Sequence, residues 1–148
     1  MKNPSGFEFK TKAETLQDLR DKVKLARVPD LKFFSLAEWS ADSIRILHDL
    51  MAYFQGRIVV VRSSAISEDA EGTSLAGQFE SLLSVPTDDR DELERAIETV
   101  ARSMPGDRRD KVLVQEMTQN TQVSGVIMTF DVSRGAPYYC IEFDDESG

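Results

Sequence analysis

Residues Ile58 to Leu83 read IVVVRSSAISEDAEGTSLAGQFESLL. The run Ile58-Val59-Val60-Val61 is β-branched and too short for a helix, which predicts a buried strand. Polar chemistry begins at its end with Arg62, Ser63 and Ser64, followed by the acidic pair Glu68-Asp69. Gly72 and Gly77 flank Thr73 and Ser74, and Gln78 follows. A strand that delivers an arginine and hydroxyls into a glycine-containing loop has the character of an anion-binding device.

Arg62 is the leading candidate. A guanidinium is always charged and presents a planar fork that matches two phosphate oxygens, and a strand end holds it rigidly. A surface ion pair with Glu68 or Asp69 is the alternative; the surrounding loop favours phosphate. Lys12 stands near the start of a predicted helix, where a lysine adds a point charge to free backbone N–H groups. An ordinary solvated lysine is its plainer reading. The stretch Gly72 to Gln78 can cover phosphates, because glycine lets backbone amides approach closely. GTSLAG lacks the spacing and terminal Gly-Lys of a P-loop. Ser63, Ser64 and Ser74 have no histidine near them in sequence and make poor hydrolase nucleophiles. At a later strand end, backbone groups of Gln115-Glu116-Met117 can read an adenine edge, with Met117 against the ring. Glu142, Asp144 and Asp145 are read as solvated rather than as metal ligands.

Composition narrows the function classes. The chain has 148 residues, 41% hydrophobic and 30% charged, enough for a packed core. A net charge of −8 argues against a nonspecific nucleic-acid binder, yet leaves room for a nucleotide pocket with one or two local cations. Cys140 is the single cysteine, so no internal disulfide can form, as suits a cytoplasmic protein. No stretch reaches the length of a membrane span, and MKNPSGFEFK lacks a signal-peptide core. The single histidine, His48, is expected to sit beside the core on a helix face.

Outward from the central stretch, periodicity predicts three helices. One runs from Lys12 to about Ala26, capped by Thr11, with Leu16, Leu19, Val23 and Ala26 on one face and Pro29 as the stop. A second covers Ala41 to Phe54 with the stripe Ile44, Leu47, Met51 and Phe54, ended by Gly56. The third starts at Asp91, buries Leu93, Ile97, Val100 and Ala101, and ends at Pro105-Gly106. Strands are predicted over Leu31–Leu36, Lys111–Met117, Gln122–Phe130 and Tyr138–Phe143, with turns at Pro86–Arg90 and Ser133–Pro137. Asp107 to Lys111 reads as a solvated loop. The mixture lacks regular βαβ alternation, so the fold class is α+β with a mixed, largely antiparallel sheet and flanking helices. The polar ending after Phe143 carries no stopping signal and reads as a truncation.

The pattern VRSSAISEDAEGTSLAGQFESLLSV resembles the N-terminal nucleotide-binding domain of the phosphoenolpyruvate synthase and pyruvate phosphate dikinase family. VLVQEM and VSGVIMTFD resemble that family's later strand and hairpin, and TKAETL stands where the family has a glycine-glycine-lysine motif, with Lys10 and Thr11 in place of the glycines. The resemblance covers Lys10 to Phe143. It implies an ATP-grasp fold, of which residues 1–148 are the first lobe. It further implies phosphate contacts from Lys12 and Arg62, a phosphate-covering loop containing Ser74, Gly77 and Gln78, and an adenine hinge at Gln115, Glu116 and Met117. ATP and Mg2+ are the implied cofactors, with the metal ligands outside this chain. In the family, ATP phosphorylates a histidine on a separate domain, releasing AMP and phosphate, and a small-molecule acceptor at a third site receives the phosphoryl group. The ending IEFDDESG resembles a capsule-polysaccharide branch that includes L-glutamine kinases, which makes the amide of L-glutamine the implied acceptor. Pyruvate, and a noncatalytic nucleotide-sensing or partner-docking lobe, are the alternatives. Neither the second lobe nor the histidine motif is recognisable here, so the fragment alone is expected not to turn over.

Overall fold

The computed structural model describes residues 10–66, 79–131 and 134–145. They divide into two compact units, Met1–Met117 and Thr118–Gly148. The first unit contains helix α1 (Lys12–Arg20), strand β1 (Leu31–Ser35), helices α2 (Leu36–Ala41) and α3 (Ser43–Phe54), strands β2 (Ile58–Ser64) and β3 (Ser81–Pro86), helix α4 (Arg90–Ser103) and strand β4 (Lys111–Glu116). Its sheet has the order β1-β4-β2-β3, with every neighbouring pair antiparallel. The α+β class expected from the sequence is therefore observed, with antiparallel pairing throughout.

Alternation along the strands separates two faces. Val59 and Val61 on β2 and Val112 and Val114 on β4 point into the main core, where α3 contributes Leu47 and Phe54 and α4 contributes Leu93, Ile97 and Val100. On the opposite face Leu31 of β1 and Leu113 of β4 form a smaller cluster with Ala13 of α1, and Leu16 packs on it.

Several sequence-based boundaries shift for local reasons. Helix α1 stops at Arg20, well before Ala26, so Val23 and Ala26 do not extend its buried stripe. The stripe of α3 is rotated from the one predicted: Ile46, Leu47, Leu50 and Phe54 are buried, whereas Ile44 is 69% exposed. Gln55 then adopts a left-handed conformation with φ 50° and Gly56 follows with φ 79°, which ends the helix. Helix α2 was not predicted; it fills the gap between the predicted strand, which ended at Leu36, and the predicted second helix at Ala41. Ser35 and Glu38 form a capping box, in which the Glu38 amide donates to Ser35 Oγ at 3.2 Å and the Ser35 amide donates to the Glu38 carboxylate at 2.7 Å. Strand β3 was not predicted, because Glu80-Ser81 and Pro86-Thr87 surround a run of only Leu82, Leu83 and Val85. Helix α4 starts at Arg90, one residue before the predicted Asp91, and is capped by Asp89, whose carboxylate accepts from the Glu92 amide at 3.0 Å.

His48 does not sit beside the core. Its side chain is 83% exposed next to Asp49, because the rotated stripe turns it to solvent. Among the described residues no helix is long and apolar enough to cross a membrane.

The second unit is a hairpin of β5 (Val123–Met128) and β6 (Cys140–Asp145), paired from Val123 opposite Asp145 to Met128 opposite Cys140. Val123, Val126, Ile127, Ile141 and Phe143 are all exposed on it. Gly125 faces Phe143, and a Cβ built there would lie 2.4 Å from the Glu142 carbonyl oxygen. Backbone cannot yield as a flexible side chain can, so alanine forces the strands apart. Gly125→Ala is expected to weaken the hairpin by about 2 kcal/mol, seen as faster amide exchange in β5 and β6 while β2 and β4 amides keep their protection.

Candidate nucleotide site

The first turn of α1 is fastened at two points. Its capping residue Thr11 donates to the Glu14 carboxylate through its hydroxyl at 2.8 Å and its amide at 3.3 Å. Lys111 Nζ binds the other Glu14 oxygen and stands 5.2 Å from the centre of the Phe33 ring. The Lys111 bond, with the Thr11 hydroxyl next, holds the Glu14 carboxyl below the ordinary glutamate value. The second fastening is buried: the Ala13 amide donates to Ser64 Oγ at 2.9 Å. A helix start leaves its first amides without intrahelical partners, and Ser64 satisfies one of them. Lys12, the first residue of α1, is thereby held at the far end of β2.

Ser64 lies on the α1 face of the sheet, and alternation puts Arg62 and Val60 on that face too. Arg62 is opposite Leu113 and Ser81, and Val60 is opposite Gln115. A rise of about 3.3 Å per residue places Arg62 about 7 Å from Ser64 and about 13 Å from Ile58. Helix α1 covers Leu31 and Leu113 but leaves Val60, Arg62 and Gln115 only half-buried and Ser81 exposed. The Arg62 guanidinium and the Gln115 carboxamide have no hydrogen-bonding or charged partner among the described residues. This face thus carries Arg62 toward the end where α1 begins and the Gln115 carboxamide toward the other.

Glu116 and Met117 close the track. The Glu116 amide donates to the Asp30 carbonyl at 2.8 Å and the Met117 amide to the Ile58 carbonyl at 3.0 Å. Both amides that could have faced an adenine edge are engaged in the protein. The Glu116 carboxylate accepts from Arg27 at 2.8 Å and from Arg57 at 3.2 Å. Met117 Sδ accepts from the Ser84 hydroxyl at 3.5 Å. The Gln115 side chain can donate and accept together, as an adenine edge requires.

Ser74, Gly77 and Gln78 lie outside the described residues, as do Glu68 and Asp69. Ser63 and Ser64 are both buried, and Ser64 is committed to Ala13. Among the described residues no three His, Cys, Asp or Glu side chains gather to hold a metal. They offer magnesium no protein cage, although this ion commonly takes one or two carboxylates with substrate phosphates.

Asp110 corrects the reading of Asp107 to Lys111 as wholly solvated. It is 1% exposed, and its Oδ1 accepts from the Ile66 amide at 2.9 Å. Its Oδ2 is buried without a partner among the described residues. Asp110 therefore ties the chain leaving β2 to the start of β4. Nothing in local sequence predicted this, since the partner is 44 residues away.

The family profile described as pyruvate phosphate dikinase, AMP/ATP-binding domain, matches residues 12–109. The matched span starts at Lys12 and contains Arg62 and Ser64. No curated protein matches the chain.

Glu14 links the site to pH. Its carboxyl is lowered in the folded state, so its stabilisation is complete above the unfolded value near 4.5 and is lost as pH falls through the lower folded value. Glu14→Gln should therefore destabilise the protein at pH 7, with the difference from wild type shrinking below about pH 4. Urea unfolding at both pH values checks this.

Proposed function

This chain belongs to the pyruvate phosphate dikinase AMP/ATP-binding domain family, and on that premise we propose that it forms the ATP-binding portion of a phosphotransferase working through a phosphohistidine. One observation carries the site assignment. Arg62 stands without a partner among the described residues on a half-open sheet face, between the fastened start of α1 and Gln115. An extended nucleoside triphosphate suits that track, with phosphates toward Lys12 and Arg62 and base toward Gln115.

Phosphoryl transfer asks the protein mainly for positioning and neutralisation of charge. Arg62 supplies a rigid fork because β2 is paired on both sides. Lys12 supplies a second cation, fixed by the Ala13–Ser64 bond beside it. In this reading the chain is the first lobe of an ATP-grasp domain, the loop with Ser74, Gly77 and Gln78 covers the phosphates, and other domains of the same polypeptide carry the histidine and acceptor site. Magnesium would be held by ligands on that remaining lobe and would neutralise phosphate charge.

Pyruvate is the acceptor that the family favours, and the amide of L-glutamine rests on the ending IEFDDESG alone. Arg62→Ala in the full-length protein is expected to lower kcat/KM for ATP about a hundredfold or more, measured as AMP release. Unchanged turnover would remove Arg62 from the site. Phosphorus NMR of the same reaction tells phosphoenolpyruvate from a phosphorus–nitrogen product, while a chain that binds ATP without turnover points to a sensing module.

A further inference from the structure

Arg57 precedes β2 and faces away from the phosphate end, yet it is the most heavily bonded side chain at the base end of the track. Its Nη1 donates to Asp30 Oδ2 at 2.8 Å and to Glu116 Oε2 at 3.2 Å. Its Nε donates to the Phe54 carbonyl at 2.9 Å and its Nη2 to the Tyr53 carbonyl at 3.0 Å. Those two carbonyls belong to the last turn of α3, which has no intrahelical donors left for them. The guanidinium also lies 5.4 Å from the centre of the Phe54 ring. Thr87 donates its hydroxyl to the Arg57 carbonyl at 2.9 Å. One residue therefore joins the end of α3, the segment before β1 and the end of β4.

Glu116 is gripped from three directions. Asp30 accepts its amide through a backbone carbonyl, while Arg57 and Arg27 hold its carboxylate. Asp30 is itself fixed by Arg20, which pairs with its other oxygen. The Arg57 bond, ahead of Arg20, keeps the Asp30 carboxyl below its ordinary value, so the network stays charged around neutrality. A bond network of this kind over-determines the backbone at Glu116, and the adjacent Gln115 inherits that placement.

We propose that Arg57 is a positioning residue for nucleobase recognition: acting through Asp30 and Glu116, it fixes the end of β4 so that the Gln115 carboxamide meets the base. This rests on the nucleotide-binding reading above. All of Arg57's hydrogen bonds go to Asp30, Glu116 and the end of α3, so its effect is expected to fall on the base half of the ligand alone. Lysine cannot replace it, because an ammonium offers one point of charge where the guanidinium forks to four acceptors on three elements.

The test compares binding of ATP with binding of inorganic tripolyphosphate by calorimetry, in the full-length protein and its Arg57→Lys variant. Arg57→Lys should raise the Kd for ATP about tenfold and leave that for tripolyphosphate unchanged. If Arg57→Lys fails to fold, Arg27→Ala carries the test. Arg27 is 73% exposed and binds the same Glu116 oxygen as Arg57, so this variant should fold and weaken ATP about threefold, again with no change for tripolyphosphate. Equal losses for both ligands, or an unchanged ATP Kd in a folded Arg57→Lys protein, would overturn the proposal; so would an unchanged ATP Kd for Arg27→Ala where that variant stands in. A wild-type protein that binds neither ligand would instead overturn the nucleotide reading on which it rests.

Discussion

The antiparallel pairing of β2 with β4 is the constraint on which the first unit depends. From Val59 opposite Glu116 to Ser64 opposite Lys111, it decides which side chains meet α3 and α4 and which meet α1. Side-chain direction in a strand has a period of two, so a slip of one residue would send Val59 and Val61 outward and drive Arg62 into the apolar core. Burying an unpaired guanidinium costs several kcal/mol, and exposing two valines adds to that. The same register that protects the core therefore places the candidate site.

Two arginines on or beside one strand illustrate how context divides identical chemistry. Arg57 has acceptors on three surrounding elements and becomes a structural node. Arg62, five positions on, faces Leu113 and Ser81 across the sheet and has no such partner among the described residues. A charge left half-buried beside a buried helix start is suited to an anion. The Ala13–Ser64 bond links these features, since it seats the start of α1 on the sheet face that also carries Arg62.

Much of this fold was legible in the residues themselves. The apolar run at Ile58 announced β2, Thr11 announced the start of α1, and Leu93, Ile97 and Val100 announced the buried face of α4. Failures arose where short-range signals competed. Ser35-Leu-Ala-Glu38 contained a capping box, and so a helix begins at Leu36 and fills a stretch between the predicted strand and the predicted second helix that was given no element. The stripe of α3 could be drawn through Ile44 or Ile46, and only the position of the sheet chooses Ile46. Strand β3 has too little alternation to be recognised alone, and exists because the edge of β2 offers it hydrogen-bond partners.

By itself the sequence determined the α+β class, the central strand and the start of α1, because local periodicity and capping act within a few residues. It also offered Lys12 and Arg62 as phosphate contacts and backbone groups of Gln115, Glu116 and Met117 as an adenine hinge. Only the tertiary structure decided that Ser64 receives Ala13, that Asp110 is buried, and that Glu116 is held by Arg57 and Arg27. Those partners stand 51, 44, 59 and 89 residues apart for the bonds Ala13–Ser64, Ile66–Asp110, Arg57–Glu116 and Arg27–Glu116. Hydrogen bonds and ion pairs act over a few ångströms in space, and no local pattern records which distant segments the sheet brings within that range.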